Sequence, residues 1–236
     1  MGNVNSRELQ QQYLQAMGVE VWLSRDASLS LNEANPDILD SGTVADDVLQ
    51  SWGSLQSQVA QCTRCDLHRS RTQTVFGVGD KNADWLIIGE APGAEEDRLG
   101  EPFVGRAGKL LNEMLLAIGL KREQVYIANI LKCRPPNNRD PSPQEVSCCE
   151  TYLQQQVELI QPRIIFTVGS VAAQNLLKTD TRIGEMRGRQ YKYGAKDVPV
   201  VVSYHPAYLL RSPREKRKAW EDLKFAVSVY KQQSGV

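Results

Sequence analysis

Apolar residues along this chain fall into two alternating patterns, short continuous runs and longer runs at helical spacing. Four continuous runs predict buried β-strands. These predicted strands span Asp84–Gly89, Val125–Ile130, Arg163–Val168 and Val198–Ser203. Between the first two, leucine, methionine and isoleucine recur every three or four positions over Arg106–Ile118, which predicts an amphipathic helix.

Helix signals also accompany the later strands. Residues 142–145 (SPQE) form a capping box with proline at the first helical position, and they predict a helix that extends to about Ile160. A short helix is predicted over Val171–Leu177 and a basic final helix over Pro213–Tyr230. Because strands alternate with helices, the predicted fold class is α/β, a three-layer α/β/α sandwich around a mainly parallel four-stranded sheet.

Charge and composition separate an N-terminal extension from the rest of this chain of 236 residues. Residues 1–52 carry two basic and eight acidic side chains, a net charge of −6, so the remainder of the neutral chain carries +6. We expect a partner-binding peptide at 1–25, an acidic flexible linker at 26–51, which lacks aromatic residues, and a folded domain at 52–236. A basic domain is compatible with a polyanionic partner such as nucleic acid.

The composition excludes several classes of protein. Hydrophobic residues make up 41% and charged residues 24%, values typical of a globular protein. The apolar runs are too short to cross a bilayer, and the first ten residues lack the basic start and apolar stretch of a signal peptide. An odd number of cysteines, five, favours metal or redox use in a reducing compartment. We therefore expect a soluble intracellular protein.

The cysteines are spaced as candidate ligands. Cys62 and Cys65 form a chelating pair, and Cys133 and the adjacent Cys148 and Cys149 follow further along the chain. Four thiolates hold zinc or an iron–sulfur cluster, and the presence of one short pair rather than two favours the cluster. Spacing alone leaves open which of the adjacent cysteines is the fourth ligand, and ordinary small buried residues are the alternative interpretation.

Polar residues follow three of the predicted strands. Glu90 follows the first strand, Asn129 ends the second, and His205 follows the fourth. Because ligands of parallel sheets bind beyond the carboxyl ends of the strands, we expect these side chains to share one site. Taken singly, they are also compatible with a helix-dipole partner, a turn residue and a surface-loop residue, respectively. A phosphate-binding loop is excluded, since Gly108-Lys109 lacks the required upstream glycine and is followed by Leu110.

Four segments of the chain read, in order, CTRCDLHRSRTQTVFGVGD, IIGEAPGAEEDRLGEPFVGRAGKLLNEML, YIANILKCRPPNNRDPSPQEV and SYHPAYLLR. They resemble the successive motifs of the bacterial and archaeal iron–sulfur (family four) uracil-DNA glycosylases. The resemblance covers about residues 54–230. It implies a parallel four-stranded sheet between helices, a 4Fe-4S cluster, and a DNA repair enzyme that hydrolyses the N-glycosidic bond of deoxyuridine and leaves an abasic site. A catalytically weak nucleic-acid-binding or damage-sensing module on the same fold is the alternative.

The resemblance also implies roles for individual residues. The cluster ligands would be Cys62, Cys65, Cys133 and Cys149. Catalysis would fall to Glu90 and His205, with Glu96 assisting or shaping the pocket. Substrate contacts would come from Ala91, Gly93, Phe103 and Asn129. DNA contacts would come from Leu209 as a wedge in the minor groove, from its neighbour Leu210 and from Arg211. The alternative for both leucines is inward packing against the last helix.

The N-terminal extension carries a second resemblance. Residues 13–25 (YLQAMGVEVWLSR) resemble the N-terminal segment of the bacterial DNA polymerase III psi subunit, which docks on the chi subunit. Leu14, Met17, Val21 and Trp22 form an apolar set too small for a core of its own, so they need a surface to bury on, either the folded domain or another protein. The resemblance implies chi as a partner. We expect a monomer in the cytoplasm, associated with the nucleoid.

Overall fold

One six-stranded sheet organises the computed structural model, which describes residues 41–234, with side chains from Ser51 to Gln233. The strands are β1 (Val78–Gly79), β2 (Trp85–Gly89), β3 (Tyr126–Asn129), β4 (Ile164–Val168), β5 (Gln190–Tyr193) and β6 (Val198–Ser203). Their spatial order is β1-β3-β2-β4-β6-β5. The four central strands are parallel, whereas β1 and β5 pair antiparallel with β3 and β6.

The predicted strands are the four central ones, so the predicted fold class is confirmed. Every residue of β2, β3, β4 and β6 is buried, which is why their sequences are mainly apolar, with Asn129, Thr167 and Ser203 as the buried polar residues. The two edge strands were not predicted. β1 has only two residues, and β5 (QYKY) is polar and partly exposed, as edge strands commonly are.

Eight α-helices occur within residues 41–234. They are α1 (Ser41–Ala60), α2 (Ala94–Leu99), α3 (Arg106–Leu116), α4 (Pro143–Ile160), α5 (Ser170–Leu177), α6 (Ile183–Met186), α7 (Pro206–Arg211) and α8 (Lys216–Ser234). Short 3-10 helices lie at Asp66–Arg69, Arg122–Gln124, Pro136–Asn138 and Pro213–Glu215. No described helix is both long and apolar enough to cross a membrane.

The helices cover both faces of the sheet. Ile87 of β2 packs in a core that includes Leu111 of α3 and Leu223 of α8. Its neighbour Leu86 points to the opposite face, in a core shared with Leu153 of α4 and with α1 and α5. This arrangement is the predicted three-layer sandwich.

The capping box at the start of α4 forms as predicted. Ser142 Oγ accepts a hydrogen bond from the backbone N–H of Glu145 at 3.3 Å, and Glu145 Oε2 accepts one from the N–H of Ser142 at 2.8 Å. The same carboxylate accepts two hydrogen bonds from Arg139, at 2.8 and 2.6 Å. Arg139 accordingly lowers the pKa of Glu145 to about 2. The start of the helix that carries Cys149 is thereby fixed.

The structure differs from the predictions at both ends. α1 begins at Ser41, inside the segment 26–51 predicted as a linker, and the compact unit begins at Gly42 rather than at residue 52. The reason is a helical spacing of apolar residues that continues into the buried Trp52, Leu55 and Val59. The rest of the predicted linker and the predicted peptide 1–25 lie outside the described residues. The predicted final helix is divided, since a 3-10 turn precedes α8, and the six-residue α7 was not predicted.

Candidate active site

One cavity of about 850 Å³ lies at the carboxyl ends of the parallel strands. Glu90 follows β2, Asn129 ends β3 and His205 follows β6, and all three line this cavity. The structure therefore brings together the polar residues that the sequence places after separate strands. Ala91, Gly93, Glu96 and Phe103 line it as well.

Asn129 presents an unused hydrogen-bond acceptor to the cavity. Its side chain is buried, and its Oδ1 atom has no hydrogen-bond partner among the described residues. Gly89, on the neighbouring strand, makes this possible. A Cβ atom at Gly89 would lie 2.5 Å from Oδ1 and 2.6 Å from the Phe103 ring, so any larger residue would displace both. A buried carbonyl without a partner is costly, which marks this amide as a group awaiting a ligand.

Phe103 is held in a strained backbone conformation. Its φ is 54°, in the left-handed region that residues other than glycine rarely adopt. Arg122 donates hydrogen bonds to the carbonyl groups of Phe103 and Pro102, at 3.3 and 2.6 Å. Gly108 allows the close approach of this loop, since a Cβ there would lie 1.8 Å from the Phe103 carbonyl oxygen. In this conformation the Phe103 ring lines the cavity and stacks on His205, with the ring centroids 5.7 Å apart.

Glu96 supports the same loop. Its Oε1 atom accepts hydrogen bonds from the backbone N–H groups of Val104 and Gly105, at 3.0 and 3.1 Å. Its Oε2 atom lies 2.7 Å from the position that a Cβ at Gly93 would take. The carboxylate is thus engaged with the backbone that follows Phe103, and Gly93 leaves the space that this engagement requires.

His205 is held as a neutral imidazole with a defined tautomer. Its Nδ1 atom accepts a hydrogen bond from the N–H of Ala207 at 3.1 Å, so in the neutral ring the proton lies on Nε2. Burial lowers the pKa of His205 to about 4, and the charge of Arg211 acts in the same direction. The ring therefore offers a hydrogen-bond donor without carrying a charge at neutral pH.

The pKa of Glu90 is shifted in the opposite direction, upward. Burial raises the pKa of its carboxyl group to about 7, and the nearby Asp140 adds to the shift because two like charges repel. Asp140 lines the cavity too. Glu90 can therefore exchange a proton near neutral pH, which is the property that a general base or acid needs.

The cysteines surround a second, much smaller cavity. Its lining includes all five of them, with Arg64, Arg71 and Lys132. Arg71 Nη1 contacts Cys133 Sγ at 3.0 Å, and the backbone N–H of Lys132 contacts Cys149 Sγ at 3.3 Å. Cationic and N–H donors directed at sulfur suit an anionic thiolate cluster. The described residues nevertheless contain no group of three or more His, Cys, Asp or Glu side chains arranged to hold a metal ion.

The chain is similar to known proteins over most of its length. Residues 76–224 match the family model of the uracil DNA glycosylase superfamily. The chain is 47% identical to the type-4 uracil-DNA glycosylase of Archaeoglobus fulgidus over 182 residues, 75% of this chain and 92% of that protein. It is 42% identical to the type-4 enzyme of Thermotoga maritima over 183 residues, 76% of this chain and 94% of that protein. The chain belongs to the type-4 uracil-DNA glycosylase family. The type-5 uracil-DNA glycosylase of Thermus thermophilus is more distant, with 32% identity over 118 residues.

The structure places one predicted DNA-contacting residue of the glycosylase in the core. Leu209, predicted to enter the minor groove, is 1% exposed and packs in the core with residues of α3 and α8. In the short helix α7, residues three positions apart share a face, and the face toward the cavity carries Tyr208 and Arg211. Leu210, the neighbouring candidate, is half-buried, whereas Arg211 is exposed as its predicted role requires.

The sequence reasoning missed several residues that line the cavity of the glycosylase. They are Asn138, Asp140, Tyr204 and Tyr208. Both tyrosines lie near His205 in the SYHPAYLLR segment, and Asp140 lies in the NNRD stretch. Their positions within the segments that resemble the family's motifs could have indicated them as cavity residues. Tyr204 directly follows the end of β6, whereas Tyr208 lies in α7 and Asp140 in a loop, so a position at a strand end could have indicated Tyr204 alone.

We predict that His205 remains neutral down to about pH 4. The chain has only two histidines, His68 and His205, so nitrogen NMR can follow both rings during a pH titration. The His68→Gln variant removes one set of signals and assigns the other. His205 should show an Nε2–H ring throughout the neutral range. A His205 midpoint near the usual histidine value would contradict the desolvated site described above.

Proposed function

We propose that this protein hydrolyses the N-glycosidic bond of deoxyuridine in DNA, releasing uracil and leaving an abasic site in an intact strand. The observation that carries the proposal is the unpartnered Asn129 carbonyl in a cavity shared with Phe103, neutral His205 and Glu90. The type-4 uracil-DNA glycosylases at 40–47% identity support it. We further propose that the protein acts as a monomer, and that its DNA substrate would be met in the cytoplasm, at the nucleoid.

Uracil recognition rests on the amide of Asn129. Uracil offers an N3–H donor beside the O4 acceptor, and an asparagine amide can accept from the first through Oδ1 and donate to the second through Nδ2. Cytosine presents the opposite pattern at these atoms. A mispaired buried amide costs about 1–3 kcal/mol for each unsatisfied group, so a rigidly held Asn129 discriminates strongly. Phe103 stacks on the base, and the backbone at Ala91 and Gly93 completes the wall.

Cleavage places negative charge on the departing uracil and positive charge on the sugar. The Nε2–H group of His205 donates to uracil O2 and stabilises the developing anion. Because the ring is neutral, it does so without transferring a proton. Glu90, ionised above about pH 7, orients or deprotonates the attacking water and stabilises the cationic sugar. The base first has to leave the duplex, because the scissile bond is inaccessible in the stack.

Glu96 acts through position rather than by contact with the reacting atoms. Its Oε1 atom already accepts two backbone hydrogen bonds from the loop after Phe103. A carboxylate held in this way fixes the backbone that follows the stacking ring. We therefore assign it to the support of Phe103.

We propose that Cys62, Cys65, Cys133 and Cys149 hold a 4Fe-4S cluster. When bound, such a cluster supplies a structural crosslink and no hydrolytic chemistry. The cysteines come from the residues after α1, the loop after β3 and the helix α4, which are far apart in sequence. Cys148 is the supernumerary residue, because its Sγ atom donates to the carbonyl of Arg64 at 3.3 Å.

The rate of uracil release should depend on the ionisation of Glu90. Its raised pKa means that the carboxylate is lost below about pH 7, so the single-turnover rate should rise with pH and level off above that value. Glu90→Gln should lower the plateau by roughly 100-fold and abolish this dependence. Glu95→Gln is the matched control, because Glu95 is exposed and pairs with Arg98 outside the cavity. A wild-type rate in Glu90→Gln would remove Glu90 from the mechanism.

Iron content tests the ligand assignment. Alanine at any one of Cys62, Cys65, Cys133 and Cys149 should reduce bound iron and visible absorbance. Cys148→Ala is the control and should retain both. If Cys149→Ala kept its full iron while Cys148→Ala lost it, the choice between the adjacent cysteines would be reversed.

We further propose that residues 1–25, which lie outside the described residues, bind the chi subunit. The apolar set around Trp22 and the resemblance to the psi subunit support this, and a tethered peptide would raise the enzyme's effective concentration near replicating DNA. Deleting residues 1–25 should leave uracil release from a short oligonucleotide unchanged and abolish co-purification with chi. Trp22→Ala in the full chain should weaken the association. Loss of catalysis on truncation would assign the segment to the folded domain instead.

A further inference from the structure

The face of α7 toward the cavity carries an aromatic residue where a wedging leucine was expected. Leu209 is committed to the core, whereas Tyr208 is 36% exposed and lines the mouth of the cavity. Arg211 stands one turn further along the same face and lines the cavity too. The helix that follows His205 therefore offers DNA a ring and a cation.

Tyr208 does not stand alone. Its ring packs against that of Tyr204, with centroids 5.1 Å apart and the planes at 41°. The guanidinium of Arg187 covers the Tyr204 ring, 4.6 Å from its centroid. The three groups form a stack that runs from the protein interior to the mouth of the cavity.

Arg187, at the interior end of this stack, is held by several hydrogen bonds. Arg187 donates two hydrogen bonds to Asp222, at 2.7 and 2.9 Å, and a third to the carbonyl of Lys218 at 2.6 Å. Asp222 is 2% exposed and also accepts from Ser203 at 2.7 Å, so both charged partners are satisfied. Since Ser203 ends β6 and Asp222 lies in α8, the stack is anchored to the same strand that delivers His205.

A supported aromatic ring at this place has a definite use in a glycosylase. When uracil leaves the duplex for the cavity, the bases beside it lose a stacking partner, and an aromatic side chain restores that contact. Aromatic rings stack on any base, so such a residue needs no sequence preference. Arg211, beside the ring, is placed to meet a phosphate.

We propose that Tyr208 stacks on a base left exposed when uracil leaves the helix, and that Tyr204 with Arg187 positions it. This inference rests on the proposed uracil excision. It concerns only the duplex, because single-stranded DNA has no helix from which the uracil must be removed. Tyr204 and Arg187 are positioning residues, since they act on DNA through Tyr208.

The test compares uracil release from a duplex with release from the same strand alone, under single-turnover conditions. In Tyr208→Ala the ratio of the duplex rate to the single-strand rate should fall about tenfold, whereas Tyr208→Phe, which keeps the ring, should retain it. Trp220→Ala is the matched control, since Trp220 is 42% exposed and does not line the cavity, and its ratio should stay within about twofold of wild type. Tyr204→Leu should lower the ratio in the same direction as Tyr208→Ala.

A second measurement reads the stacking itself. The probe is a duplex with fluorescent 2-aminopurine beside a hydrolysis-resistant 2′-fluoro uracil nucleotide. Because stacking quenches 2-aminopurine, its fluorescence should be lower when wild type or Tyr208→Phe is bound than when Tyr208→Ala is bound. The proposal would be overturned if Tyr208→Ala changed neither the ratio of the two rates nor the fluorescence. It would also be overturned if Leu210→Ala lowered the ratio while Tyr208→Ala left it unchanged. A wild-type ratio in Tyr204→Leu would remove the positioning role. If the wild-type protein released no uracil from the duplex or from single-stranded DNA, that result would reject the proposed excision. The stacking inference is rejected by the results for the Tyr208 variants.

Discussion

Desolvation of polar side chains at one edge of the sheet is the constraint on which the rest of the structure depends. Burial raises the pKa of Glu90 to about 7, lowers that of His205 to about 4, and leaves Asn129 Oδ1 without a partner among the described residues. Two of these effects are costly at neutral pH: a buried carbonyl without a hydrogen bond costs about 1–3 kcal/mol, and burial also disfavours the ionised carboxylate of Glu90. The same burial gives each group its chemical use, because hydrogen bonds to the substrate then form without competing water.

The framework has to hold these groups against that cost. The parallel strands deliver all three to one edge, since their carboxyl ends coincide. Phe103 is fixed at a positive φ by contacts on both sides, from Arg122 on one and Glu96 on the other. Gly89 then leaves room for the Phe103 ring beside Asn129. Local strain is therefore concentrated where the base is expected to bind, as is common at functional sites.

Much of this could be predicted from the sequence, for a physical reason. The central strands are buried on both faces, so β2, β4 and β6 appear as mainly apolar runs, and the polar residues that follow β2 and β6, Glu90 and His205, stand out. The edge strand β5 lacks that signal because half of its environment is solvent. The helix α7 has six residues, too few for a period to show which side chain faces inward, so the sequence could not decide between a DNA contact and inward packing for Leu209, which packs in the core. Asp140 lies in a loop, where no periodic rule applies.

The small cavity lined by the cysteines and the larger cavity lined by Asn129 share one stretch of backbone at the end of β3 and just after it. Lys132, fully buried, donates through Nζ to the carbonyl of Asn129 at 2.9 Å and to Gln156 at 2.6 Å, while its N–H meets Cys149 Sγ. A buried ammonium is tolerated only with such acceptors in place, so the position of Asn129 and that of the cysteine loop are fixed together. A crosslink through Cys133 would therefore hold the end of β3 as well as the loop. Lys132 thus joins the cysteines to the backbone of Asn129, so a group held by the cysteines would also fix the position of the Asn129 amide.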